Sequence, residues 1–281
     1  MRRTPEEMAA AFRAACRGEL EALKPGNVHV FADGHRMTVQ DFVRSAEAAA
    51  PVLCAAGRSV GARVLAAVEA TSAAVGQNTN LGIVLLAAPI VQAAETGRAI
   101  AEILAGLTRE DAVLAYRAIR LASPGGLGRS ERHDVAGEPE VTLLEAMRAA
   151  ADRDRIAYQY AHDFQDVLGL GVSTLRQGRR AGWAEPWAVT RTFMAFLASF
   201  PDSHVVRKHG AVAAEALREQ AASLARRLEA ARDPATMAPA LLAFDAALKA
   251  QAVNPGTSAD LTVASLLAAE LLDPSEGERI P

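Results

Sequence analysis

The feature that most constrains this chain is the period of its apolar residues. No stretch alternates apolar and polar side chains over more than about four residues, whereas helix-start signals recur throughout. A period of two is what a half-buried strand requires, and its absence excludes a sheet-built core. Thr4-Pro5-Glu6-Glu7, Thr38 with Asp41, Thr108 with Asp111 and Thr142 with Glu145 each set a threonine three residues before an acid. That spacing lets hydroxyl and carboxylate satisfy one another's backbone donors at a helix N-terminus. The expectation is an all-α fold, a single multi-helix bundle domain over residues 1–281, with a polar cleft formed by inter-helical loops. Alanine is abundant and aromatics are 5%, so helix axes can approach closely.

The first helix is expected from Pro5 to about Leu23, with Met8, Phe12, Cys16 and Leu20 on one stripe and Lys24-Pro25-Gly26-Asn27 ending it. A loop with a short extended piece follows to His35. The next helices start at Thr38, kinking near Pro51, at Ser59, at Leu81 with a kink at Pro89, and at Thr108 through Leu121. Residues 123–135 read as a long irregular segment, glycine-rich and carrying both signs of charge. After Thr142 the pattern continues or breaks near Asp152, and Gly169 and Gly171 mark another break. Further helices are expected over Glu185–Ser199, His204–Arg232 and Met237–Ala250. Ser258 caps a last helix to Leu272.

Thr71 to Pro89 is the stretch on which the rest turns. A polar knot, Gln77-Asn78-Thr79-Asn80, separates two apolar helical runs. On a plain surface its flanks would be wasted, so its amides and hydroxyl are expected to face a central pocket. Uncharged donors and acceptors of this kind suit sugar hydroxyls, phosphate oxygens or a hydrated metal. The alternative is a helix start, with Thr79 or Asn80 capping the helix from Leu81. The net charge of −3 supplies no global basic field for nucleic acid or an anionic membrane. The longest apolar run, Leu81 to Ile90, is roughly half of what a bilayer needs, so a cytoplasmic protein without a membrane partner is expected. Cys16 and Cys54 read as buried thiols. A homodimer through the alanine-rich helices is open.

The remaining chemistry-bearing residues fall in turns: Lys24, Asn27, His29, Asp33 and His35; Arg129, Glu131, Arg132, His133 and Asp134; Asp202, Ser203, His204, Lys208 and His209; Thr257, Ser258 and Asp260. A bundle that gathers such turns at one end builds a concave polar site. No histidine spacing is a zinc signature, and no dinucleotide or phosphate-loop fingerprint occurs. Asp134, Asp202 and Asp260 fit Mg²⁺ better, because that ion takes few carboxylates together with substrate phosphates.

Several of these turns together resemble the triphosphoribosyl-dephospho-CoA synthase family. Pro25-Gly26, His35-x-Met37, Phe42 and Ser45 resemble its N-terminal block. Gly76-x-Asn78-Thr79-x-x-Gly82 resembles its Gly-Val-Asn-Thr-His-Lys-Gly signature. Arg129 with Glu131, then Asp202, Lys208 and Gly210, resemble two further elements. Pro255-Gly256-Thr257-Ser258-Ala259-Asp260-Leu261 resembles the family's C-terminal Pro-Gly-Gly-Ser-Ala-Asp-Leu. Here Asn80 and Leu81 replace the signature's His and Lys, His204 replaces an Asn, and Lys208 replaces an Arg.

The resemblance implies transfer of a triphosphoribosyl group from ATP to a hydroxyl of dephospho-CoA, with adenine leaving. It implies Mg²⁺ at Asp260 and Asp202, and polyphosphate contacts from Lys24, Arg129 and Lys208. Asn27, His29, His35, Thr79, Asn80 and Ser258 complete the binding set. Glu131 and Asn78 are expected beside the reacting carbon, and Asp134 or Asp202 as the base. Two alternatives stand: transfer onto a methanopterin-type one-carbon-carrier precursor, or a non-catalytic nucleotide-binding helical protein.

Overall fold

The computed structural model describes residues 2–32, 37–123 and 134–272. Fourteen α-helices follow one another in these segments: α1 Pro5–Glu21, α2 Val39–Leu53, α3 Val60–Val75, α4 Leu81–Thr96, α5 Ile100–Ala105, α6 Arg109–Ala122, α7 Leu143–Ala150, α8 Arg155–Ala161, α9 Val172–Arg180, α10 Glu185–Ser199, α11 Ser203–His209, α12 Ala211–Ala230, α13 Ala238–Ala250 and α14 Gly256–Leu272. Among the described residues there is no β-strand, and one isolated bridge joins His29 to Ala32. All four Thr-acid boxes form as expected, each hydroxyl accepting from the third helical N–H.

Two helices, α4 and α14, are apolar around their whole circumference and pack on one another at the centre. A helix without a polar stripe has no face for water and is stable only when enclosed. Helices α1, α2, α3, α6 and α8 cover one side, and α9 and α10 the other. Helix α10 divides two cores: Val189 and Phe196 join the main one, and Phe193 and Leu197 face a second one formed with α12 and α13.

Pro89 lies inside α4 without ending it. A proline at that position leaves the carbonyl of Leu85 without its helical N–H. The buried Tyr160 hydroxyl donates to that carbonyl at 2.6 Å. Its burial drives the phenol pKa far up, so the hydroxyl stays a donor. Gly171, in a π-helical turn over Asp166–Gly171, lies so close to Ser265 of α14 that a Cβ there would fall 2.0 Å from the Ser265 hydroxyl.

Two boundaries differ from the sequence expectation, and one left open is settled. The long helix from His204 is split at Gly210, whose φ of +86° ends α11 and opens α12. Of the two alternatives after Thr142, the break near Asp152 is the one that forms: Asp154 caps a separate α8, its carboxylate accepting from the N–H groups of Ile156 and Ala157. Ser258 does not cap α14: the helix starts at Gly256, and Ser258 donates from inside the first turn.

Candidate active site

A cavity of about 580 Å³ opens where the start of α4, the start of α14, α11 and the α6–α8 wall meet. Asn78, Thr79, Asn80, Lys208, Asp134, Asn27 and Asp260 all line it. Turns that are far apart in sequence therefore converge, as the loop-cluster reading required. The Arg129, Glu131 and His35 positions lie outside the described residues, as do Asp33, Arg132 and His133.

The polar knot forms the rim of α4. Asn78 Oδ1 accepts from the Leu81 N–H at 3.1 Å, so Asn78 caps this helix rather than Thr79 or Asn80. Thr79 shares a 2.6 Å hydroxyl contact with Ser45 on α2, and Asn80 Nδ2 donates to Thr71 Oγ1 at 3.0 Å on α3. Neighbouring helices thus hold Thr79 and Asn80, and the start of α4 holds Asn78, leaving the Asn78 amide nitrogen without a partner among the described residues.

Beneath the knot lies a buried network. The Lys24 ammonium pairs with the Glu19 carboxylate and donates to Asn27 Oδ1 at 3.0 Å and to the Val28 carbonyl at 2.6 Å. Asn27 in turn donates to Asn254 Oδ1 at 2.8 Å. An ammonium has three donors, and all are used, so Lys24 shapes the floor and has none left for phosphate. Burial pushes the Glu19 acid up and the Lys24 amine down, and their ion pair opposes both shifts. His29 sits outside the cavity wall, its Nε2 3.3 Å from Asp245, which also takes Lys249 at 3.0 Å and the Gly26 N–H at 2.8 Å. That cluster fastens the loop after α1 to α13. Burial pulls the His29 imidazole pKa down, and the Asp245 carboxylate opposes that shift.

Asp202 and Ser258 are likewise behind the wall rather than on it. One Asp202 oxygen accepts from the N–H groups of His204 (2.9 Å) and Val205 (3.2 Å). The other accepts from the Ser258 N–H (2.8 Å) and Ser258 hydroxyl (2.9 Å). The same carboxylate thus ties α11 to α14, with no oxygen turned to a metal or a substrate.

Asp260 is the carboxylate that faces the cavity. It makes no hydrogen bond or ion pair among the described residues. Burial, and then the charges of Asp202 and Glu19, push its pKa well up. Gly82 makes room for it: a Cβ there would lie 2.0 Å from Asp260 Oδ2. One turn earlier on α14, Gly256 does the same for His204, whose Nδ1 would lie 2.4 Å from an added Cβ. The positive charge comes from Arg207, paired with Asp154 at 2.6 Å, from Arg153, and from the exposed Lys208. Lys208 has no ion pair among the described residues.

The far end is apolar, with Ile119, Leu143, Ala146 and Met147. Tyr116 and Asp134 stand there; burial raises the phenol pKa, the Asp134 charge adds to it, and the nearby Arg153 charge opposes it. Among the described residues no group of three or more His, Cys, Asp or Glu forms a metal cage, and no helix is long and apolar enough to cross a membrane.

Sequence reasoning missed Glu19, Asn254, Arg207, Asp154 and Tyr116. Glu19 had a signal: it is an acid beside Leu20 on the buried side of α1, followed five residues later by one of only three lysines. Arg207 and Asp154 had none, because their pairing depends on how α8 meets α11.

The family model described as ATP:dephospho-CoA triphosphoribosyl transferase (CitG) matches residues 5–279. A crystal structure from Archaeoglobus fulgidus, described as a candidate triphosphoribosyl-dephospho-CoA synthase, superposes with a TM-score of 0.61 at 25% identity. The alignment covers 81% of this chain and 97% of that one. A comparison with curated proteins gives no significant match. With a match over nearly its whole length, this chain belongs to the ATP:dephospho-CoA triphosphoribosyl transferase family.

Proposed function

We propose that the cavity binds ATP with its polyphosphate toward α11 and the start of α14 and its base in the apolar lobe, and that it passes the triphosphoribosyl group to a hydroxyl of dephospho-CoA. The observation that carries this reading is the division of one cavity. Arg207, whose charge acts on the unpartnered carboxylate Asp260, and Lys208 line the part made by α11 and the start of α14, and apolar side chains suited to a purine come from α6 and α7. In the transfer, the bond from the ribose anomeric carbon to adenine breaks and a bond to the acceptor oxygen forms. The hydroxyl loses a proton and adenine gains one, so the step balances.

The residues divide the labour. Lys208 meets phosphate oxygens as a compact point charge. The Asn78 amide N–H, its oxygen being occupied by the helix cap, donates to a ribose hydroxyl or phosphate oxygen. Asp134, beside Tyr116, stands at the base-binding end. The site also fits Mg²⁺ in the manner of nucleotide enzymes, through one protein carboxylate plus phosphates, with Asp260 as that carboxylate. Its acid lacks any donor among the described residues and is burdened by the charges of Asp202 and Glu19, which a cation would relieve. When bound, the ion neutralises polyphosphate charge.

The test is adenine release from ATP in the presence of Mg²⁺ and dephospho-CoA, followed by chromatography. Adenine should form in step with the triphosphoribosylated acceptor. A rise in melting temperature with ATP but no adenine would make the protein a binder and refute transfer.

A further inference from the structure

We infer that His204 is the catalytic base that takes the proton from the acceptor hydroxyl. This rests on the transfer reaction proposed above and goes beyond it by naming the proton acceptor.

Four observations converge. First, His204 is the one histidine among the described residues that lines the cavity. His29 is held at Asp245 outside the wall, and His162 stacks on Tyr158 at 4.0 Å. Second, the backbone of His204 is fixed rather than loose. Its N–H is shared between Asp202 (2.9 Å) and the Thr257 hydroxyl (3.2 Å), which pins the start of α11 to the start of α14. Third, the ring is aimed. Nδ1 is the ring atom packed closest to Gly256, and an added Cβ there would be 2.4 Å from Nδ1 against 3.4 Å from the two neighbouring ring carbons. Nε2 is therefore on the ring edge turned away from α14. Fourth, the neighbours are placed for the reaction. Lys208 follows His204 by one turn of α11, and Asp260 follows Gly256 by one turn of α14. A triphosphate gathered between Lys208 and Asp260 brings the ribose that carries it to the α11–α14 junction, within reach of the imidazole.

The other carboxylates are poorly suited. Both oxygens of Asp202 are occupied by four donors, Asp154 is paired with Arg207, and Glu19 with Lys24. Asp134 stands at the apolar end. A neutral imidazole accepts the hydroxyl proton as the oxygen bonds to the anomeric carbon, and the adenine departs with a proton from solvent or from the base-binding end. The imidazolium returns its proton to water after product leaves.

The experiment uses the full chain with ATP, Mg²⁺ and dephospho-CoA. His204→Gln should lower kcat for adenine release by about 10²- to 10⁴-fold, the usual contribution of a positioned base. KM for ATP should move less than about threefold, and the melting temperature should hold. His204→Ala should regain activity in added imidazole, with the gain saturating. Gly256→Ala, which forces the ring aside, should lower kcat with the histidine still present. A His204→Gln variant within about twofold of wild-type kcat overturns the proposal. So does a loss that appears wholly in ATP affinity, or a His204→Ala variant that imidazole does not rescue. A wild-type enzyme releasing no adenine overturns the transfer reading itself, which is a different result from an active wild type with an active variant.

Discussion

Gly82→Ala is the sharpest single perturbation of the site. The added methyl would lie 2.0 Å from Asp260 Oδ2, 2.6 Å from its Cγ and 2.8 Å from Ile156 Cδ1. Ordinary van der Waals contact is about 3.5 Å or more. The Asp260 carboxylate must therefore retreat by roughly 1.5 Å, because the α4 backbone is enclosed and cannot move aside. Retreat is cheap in stability, since Asp260 has no hydrogen bond among the described residues to break. Ile156, on α8, must also give way. Overpacking ordinarily costs 1–3 kcal/mol, and the lower end, about 1 kcal/mol, is expected here. That corresponds to a melting-temperature decrease of about 2–4 °C. Function should suffer much more, because a misplacement of about 1 Å at a reacting centre costs around 10²-fold. Thermal melts and adenine release on the same preparation check both halves. A variant with wild-type turnover would refute the claim that Asp260, in this position, faces the substrate. A variant that loses about 4 kcal/mol or more would show that the carboxylate is anchored rather than free.

Further outcomes are expected. Asp260→Asn should stabilise the ligand-free protein: an acid whose folded-state pKa is raised stabilises below the ordinary carboxylate range and loses that contribution as pH climbs through the raised value. Melting temperature against pH should therefore fall from about pH 4 upward in wild type and fall less in the variant, while Mg²⁺-ATP no longer shifts it; parallel curves would contradict this. Tyr160→Phe removes the donor to the Leu85 carbonyl beneath Pro89 and should cost about 1–3 kcal/mol by denaturant titration, with kcat unaltered. Asp202→Asn turns an amide donor toward N–H groups and should cost roughly 3 kcal/mol; an unchanged denaturation midpoint would remove its capping role. Lys24→Met should impair folding more than it alters KM for ATP, because Glu19 would be left buried and unpaired.

Legibility in the sequence followed the range of the forces. Helix starts depend on residues three apart, and every Thr-acid box formed where it stood. The loss of the helix at Gly210 was less visible, because φ of +86° is a choice that packing makes and glycine merely permits. The cavity was legible at Asn78, Thr79, Lys208 and Asp260, which are polar groups in turns between apolar runs. Lys24, Asp202 and Ser258 carried the same local signal, yet they serve the scaffold. What separates the two groups is how the chain folds around each: Asp202 and Ser258 saturate one another across 56 residues, whereas the donors of Lys24 are taken by Glu19, Asn27 and Val28 in the turn where it stands.

The Asp202 bridge sets more than a cap. Because one anion grips the first turn of α11 and the first turn of α14 together, the interval between Lys208 and Asp260 is a property of the scaffold, established before any nucleotide arrives. A polyphosphate of the wrong length would meet a rigid ruler rather than an adjustable clamp, so selection between nucleoside tri-, di- and monophosphates would be geometric, and its energetic basis would lie in a carboxylate that never touches them.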